Sequence, residues 1–161
     1  MKILKIFSIL LLTLFIVGCS YRVPIRTSQA YAVTIKLKGL AFSDTGFLNL
    51  GKEYTELQLY DAGEPVFKLK ISQYTCIDSH CFEKDEFNKK FLSKNYNPQT
   101  LENILNGRPI FGKTGYKEEK DGFSQTIVKK NLHIKYFVRK NKIYFKDYKN
   151  RILIKMTKIG S

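Results

Sequence analysis

The chain has 161 residues, with 28 Lys and Arg against 14 Asp and Glu, for a formal net charge of +14. Hydrophobic residues make up 43% and aromatics 14%, with 12 Phe, 10 Tyr and no Trp. These figures exclude a multidomain enzyme, a collagen-like or low-complexity chain and an acidic disordered tail, and they leave one domain of ordinary size.

Lys2 and Lys5 precede an apolar run from Ile6 to Val17, which ends at Gly18-Cys19. The run is shorter than the ~20 residues a spanning helix needs. Positive charge, short apolar core and a small residue before the cut describe an export signal over residues 1–18. Ile16-Val17-Gly18-Cys19 resembles the lipobox of bacterial lipoproteins. The resemblance implies a mature chain that starts at a lipid-modified Cys19, anchored by acyl chains at ~0.8 kcal/mol per buried CH₂. Ser20 stands where an Asp would retain such a protein in the inner membrane, so the expected location is the outer membrane.

The polar stretch Tyr21 to Gln29, with Pro24, suits a tether, and residues 19–30 read as lipidated N-terminus and linker. A single domain is expected over 31–161. Val33, Ile35 and Leu37 alternate with Thr34, Lys36 and Lys38, the period of a half-buried strand. Leu40 to Leu50 is apolar, and Asp44-Thr45-Gly46 at its centre predicts a turn. Tyr54–Tyr60 and Val66–Tyr74 predict a hairpin around Asp61-Ala62-Gly63-Glu64.

Cys76 and Cys81 follow. An exported chain meets an oxidising compartment, and a disulfide is the first expectation for this pair. Its loop is short, so the entropic gain is small, ~2 kcal/mol. Free thiols and a metal are the alternatives. His80 lies between the cysteines, but a zinc site needs four ligands and His133 is isolated. No metal and no cofactor is expected.

The period then changes. Phe82 to Leu92 places Phe87 and Phe91 four apart, with Glu83, Asp85 and Glu86 early, as a helix dipole favours. Asn97-Pro98 predicts the start of a second helix, with Leu101, Ile104 and Leu105 on one face and Gly107 as its stop. Strand alternation returns in Leu132, Ile134, Tyr136 and Val138, in Ile143 and Phe145, and in Ile152, Ile154 and Met156. Turns are predicted at Arg139–Lys142 and at Lys149-Asn150. The fold class is therefore α+β: a largely antiparallel sheet, apolar on one side and Lys-rich on the other, with two short helices inserted mid-chain. The inward apolar positions are Val33, Ile35, Leu37, Leu57, Leu59, Phe67, Leu69, Ile71, Phe87, Phe91, Leu101, Ile104, Leu105, Ile134, Tyr136, Phe145, Ile154 and Met156. They are ordinary core or the lining of an acyl-binding cavity.

Charge is distributed unevenly. Residues 19–107 carry 11 basic and 10 acidic side chains, and residues 108–161 carry 15 and 4. Such a field attracts anionic headgroups or an acidic partner, and basic residues on one wet strand face would account for it equally. Nucleic acid is not expected of an exported, anchored protein. Catalysis has little support: there is no nucleophile elbow and no phosphate loop, and the two His are far apart. Turn and strand-edge roles suffice for Asp44, Asp61 and Asp147.

The order of these segments resembles the family of the outer-membrane lipoprotein receptor LolB, within the LolA/LolB-like carriers. The similarity rests on the opening strand Val33–Gly39 and on the hairpin Leu57-Gln58-Leu59-Tyr60-Asp61-Ala62-Gly63-Glu64-Pro65-Val66-Phe67-Lys68-Leu69. It extends to the helix and exit Pro98-Gln99-Thr100-Leu101-Glu102-Asn103-Ile104-Leu105-Asn106-Gly107-Arg108-Pro109 and to the closing pair Ile143–Asp147 and Arg151–Met156. The resemblance implies a curved antiparallel sheet, an open half-barrel, with the short mid-chain helices as a lid on its concave apolar face. It implies a membrane-anchored receptor that takes lipoprotein acyl chains from a periplasmic LolA-like carrier, and a monomer is expected. It would release them into outer-membrane lipid without covalent chemistry. It also implies a membrane-delivery turn at Ala62 and Gly63, where the family has an exposed leucine. The family's tryptophans are replaced by Tyr and Phe, and the cysteine pair is additional. The competing expectation is a non-enzymatic structural or accessory lipoprotein of a cell-envelope assembly.

Overall fold

The computed structural model describes residues 25–160. Cys19 and the export signal lie outside them.

Eleven strands form one antiparallel sheet, open rather than closed. They are β1 (Ile25–Leu37), β2 (Leu40–Gly51), β3 (Thr55–Asp61), β4 (Glu64–Ile71), β5 (Thr75–Ile77), β6 (His80–Phe82), β7 (Tyr116–Glu119), β8 (Gly122–Lys129), β9 (Leu132–Arg139), β10 (Lys142–Asp147) and β11 (Ile152–Lys158). The spatial order is β6-β5-β4-β3-β2-β1-β11-β10-β9-β8-β7. β1 is thus central and pairs with β2 on one side and β11 on the other, with Val33 opposite both Asp44 and Met156. One arm, β2–β6, runs outward from β1. The other, β11 to β7, runs outward from the other side. The chain crosses between the two outermost strands, β6 and β7, through α1 (Lys84–Phe91), α2 (Thr100–Leu105) and a short 3-10 turn (Phe111–Lys113). The curved antiparallel sheet with two short mid-chain helices is as expected.

Alternation is the reason these segments are strands. In β1, Tyr31, Val33, Ile35 and Leu37 are buried while Ala32, Thr34 and Lys36 point outward. β9, β10 and β11 repeat the pattern, with Lys135, Lys146 and Lys155 on the outer side. A period of two puts every apolar residue of a strand on one face.

Three local readings differ. Asp44-Thr45-Gly46 is not a turn: β2 runs through it in unbroken register with β1. Gly46 serves close approach here, because a Cβ would collide with the Gln58 carbonyl on β3. The polar stretch expected as a tether is paired from Ile25 onward. Thr27 and Ser28 face Leu50 and Asn49, and the Ser28 hydroxyl donates to Asn49 Oδ1 at 2.7 Å. Helix α2 starts at Thr100 rather than at Asn97-Pro98. The Asn97 carbonyl accepts the Thr100 N–H and an Asn88 side-chain N–H, so Asn97 closes a turn ahead of the helix. At the other end the expectation holds. Gly107 has φ +62, its N–H reaches the Ile104 carbonyl, and the Arg108 N–H reaches the Asn103 carbonyl. That pair of bonds is the Schellman ending of a helix.

Candidate functional site

The candidate site is the inner face of the sheet and the segment 83–115 that crosses it. The helices are too short to hold themselves together in water, so tertiary contact must supply their stability. α1 has Asp85 and Glu86 in its first turn and Lys89 and Lys90 in its last, which complements its dipole. Phe87 is fully buried, and Phe82, Phe87 and Phe91 form an aromatic trio with centroids 4.8–6.2 Å apart. Leu101, Ile104 and Leu105 of α2 are buried in the same cluster as the inward residues of the strands. A Lys84–Glu102 ion pair at 3.3 Å joins the two helices.

Polar ties fix this segment to the sheet. On the β2–β6 side, Asn106 Nδ2 donates to the Thr55 hydroxyl at 3.0 Å, and the Lys38 N–H of the β1–β2 turn donates to the Phe91 carbonyl. The β7–β11 side holds more. Gln125, buried on β8, accepts the Ile110 N–H at 2.8 Å and donates to the carbonyls of Ile110 and Thr114. The Tyr136 hydroxyl donates to the Arg108 carbonyl at 2.9 Å. Burial pushes its phenol above the ordinary range, so it remains a donor. The Tyr96 hydroxyl donates to Asp147 at 2.9 Å. Burial first, then the Asp147 charge and hydrogen bond, push this phenol far above its usual value.

Asp147 is completely buried. Besides Tyr96, it accepts the backbone N–H groups of His133, Lys149 and Asn150 and the Asn150 side-chain amide. These bonds satisfy a carboxylate that would otherwise be costly to bury, and they organise the β10–β11 turn. Asn88, also buried, donates to the carbonyls of Tyr96 and Asn97 and shapes the link between the helices. Sequence reasoning gives Asp147 only a turn or strand-edge role and does not single out Gln125 or Asn88. One signal was available: Gln125 falls in the inward register between Phe123 and Ile127.

The structure brings together the residues expected on the inner face. Val33, Ile35, Leu37, Leu57, Leu59, Phe67, Leu69, Ile71, Phe87, Leu101, Ile104, Leu105, Ile134, Tyr136, Phe145, Ile154 and Met156 are all buried, and Phe91 is half-buried beside them. A hollow wide enough for a fatty tail would leave its lining with measurable surface. Leu57, Leu59, Leu69, Leu105, Ile134, Tyr136, Phe145, Ile154 and Met156 have none. In this state these side chains fill the space against one another.

Ala62 and Gly63 form the exposed two-residue turn of the β3–β4 hairpin, both with positive φ (48° and 89°), as such a turn requires. Cys76 and Cys81 face each other across the β5–β6 pair, with sulfurs at a bonded 2.03 Å. His80 beside them is exposed, and among the described residues no three His, Cys, Asp or Glu side chains converge on one point. Asp44 accepts the N–H of Thr45, and Asp61 stands at the end of β3.

No protein-family model matches this chain, and no curated protein matches its sequence.

Proposed function

We propose that this protein is a membrane-anchored acyl-chain receptor of the LolB type, working without covalent chemistry. In this reading the segment 83–115 is a lid, and the inner face of the sheet is the surface that receives fatty tails. One observation supports it: among the described residues, the segment that connects the two outermost strands of an unclosed sheet buries its apolar side chains in the same cluster as the inward strand residues. A sheet open along one side can splay, and an apolar segment lying on it can be exchanged for an apolar ligand. Acyl carbon and side-chain carbon are nearly equivalent neighbours for Leu69 or Phe145, so the exchange is close to neutral in burial. Small differences in affinity then set the direction of transfer between a LolA-like carrier, this protein and outer-membrane lipid. Lipidation of Cys19 supplies the anchor, and the Ala62-Gly63 turn is the candidate point of delivery.

The filled interior favours a second reading, a structural accessory lipoprotein of an envelope assembly whose core needs no ligand. One experiment separates the two. Photoreactive benzoylphenylalanine replaces Phe67, Phe145 or the outward Tyr144 in the full chain, cells are irradiated, and adducts are identified by mass spectrometry. The receptor reading expects acyl-bearing adducts at Phe67 and Phe145 and none at Tyr144. Folded protein that yields only internal cross-links at the two buried positions would overturn it and leave the accessory reading.

A further inference from the structure

Beyond the apolar face, one end of the sheet carries a second feature of distinct chemistry. The β1–β2, β8–β9 and β10–β11 turns meet the link between α1 and α2 around an open cleft of about 650 Å³. Five lysines line it: Lys38, Lys89, Lys94, Lys130 and Lys149. No Asp or Glu does. A smaller cleft of about 360 Å³ adjoins it through Asn95, Lys130 and Asn131 and adds Lys129.

The lysines come from four separate stretches of chain, so no local repeat accounts for their convergence. Among the described residues the ion pairs are Lys84–Glu102 and Arg139–Glu119, which leaves all five cleft lysines without an acidic partner. The one carboxylate built into these turns, Asp147, is buried beneath them and saturated with donors. Lys149 is held in place, its ammonium donating to the carbonyls of Lys129 at 3.1 Å and Lys130 at 2.8 Å. The side chains of Asn131 and Asn150 stand at the same rim. Gathering five like charges is unfavourable unless an anion relieves it. A phosphate monoester carries about −1.5 to −2 charges, so two or three phosphates balance the set.

We propose that this cleft binds an anion carrying two or more phosphate groups, either free in solution or as the headgroup of a lipid. Lysine suits this role as a compact point charge with several donors. The proposal does not rest on the acyl-receptor reading. It has a mechanical corollary: Lys89 and Lys94 belong to the crossing segment, and Lys130 and Lys149 to the sheet. An anion that bridges them pins the segment down. The cleft also lies at the Leu37 end of β1, away from Ile25, and the 13 residues of that strand extend about 40 Å.

The test uses the full chain in phosphatidylcholine nanodiscs, titrated with inorganic pyrophosphate by calorimetry. Saturable binding is expected, with faster amide exchange at Ser93–Asn95 in the free state than in the bound state. The triple variant Lys38→Gln/Lys94→Gln/Lys130→Gln should weaken it by roughly tenfold or more. Lys117→Gln/Lys135→Gln/Lys155→Gln removes the same charge from exposed positions elsewhere and should change it less than about threefold. All six side chains are exposed, and thermal unfolding serves as the check that both variants fold. A second arm offers phosphatidylcholine vesicles with and without diphosphatidylglycerol. Capture by the latter alone, competed by pyrophosphate, assigns a lipid headgroup; pyrophosphate binding without capture assigns a free ligand. No saturable binding, or equal loss in the two triple variants, overturns the proposal.

Discussion

The two arms of the sheet hold the crossing segment in different ways. The β2–β6 arm uses apolar contact and one side-chain pair, Thr55 with Asn106, beside one backbone bond from Lys38 of the β1–β2 turn to Phe91. The β7–β11 arm uses buried polar residues with several bonds each: Gln125, Tyr136 and, through Tyr96, Asp147. Apolar contact is non-directional and is exchanged at little cost, whereas a buried donor or acceptor stripped of its partner costs its full desolvation. The segment is therefore hinged on one arm and merely resting on the other. In the receptor reading, opening is expected from the β2–β6 side, with residues 107–115 staying attached to β8 and β9.

The sharpest way to break that asymmetry is Asp147→Ala. It strands Tyr96, Asn150 and three backbone N–H groups, and it should cost about 3–5 kcal/mol in chemical unfolding, close to the whole stability of many domains. Gln125→Ala releases the Ile110 and Thr114 groups and should cost about 2–3 kcal/mol. Hydrogen exchange should then show residues 110–114 losing protection before the α1 amides do. Cys76→Ser/Cys81→Ser acts on the outer edge of the other arm and should cost at most about 2 kcal/mol, because its loop is small. Thr55→Val should cost about 1 kcal/mol. Closing Thr55→Cys/Asn106→Cys with a short bis-methanethiosulfonate, which forms a mixed disulfide at each cysteine and releases methanesulfinate, pins the resting side and should remove acyl adducts at Phe145. Smallest, and opposite in sign, is Thr100→Val. The Thr100 hydroxyl is buried without a partner, so its removal should raise stability by about 0.5–1 kcal/mol, read as an upward shift in Tm.

How much of this was legible depended on what carried each element. Strands with one wet and one dry face announce themselves, and Val33 to Leu37, the Ala62-Gly63 hairpin and the three closing strands could be read from period alone. The β7–β8 hairpin could not. Tyr116 to Asp121 is polar on both faces because it forms an edge, and the middle inward position of β8, between Phe123 and Ile127, is a glutamine rather than an aliphatic residue. β2 misled for the opposite reason: Asp-Thr-Gly is turn chemistry, but Gly46 is there to let β3 approach. Every inward position named from the sequence is buried or half-buried, since burial and hydrophobicity coincide, but Tyr31, Leu48, Ile110, Phe123 and Ile127 complete the core without having been named. The polar fixings of this face were not legible, because Gln125, Asn88 and Asp147 are defined by partners distant in sequence. The lysine cleft was visible only as an excess of charge after residue 107; its convergence needs Lys38, Lys89 and Lys94 from before that point.

The central position of β1 has a bearing on how the protein reaches its final state. Its second neighbour, β11, is the last of the described strands in chain order, and Tyr31 must wait for Lys158. Until then β1 offers a long unpaired edge to any other extended chain, a known invitation to mispairing. Topologies dominated by such distant pairings fold slowly. A copy in which β11 has not yet docked thus passes its riskiest interval half-assembled, and an escort that shields the β1 edge until β11 is in place would protect it.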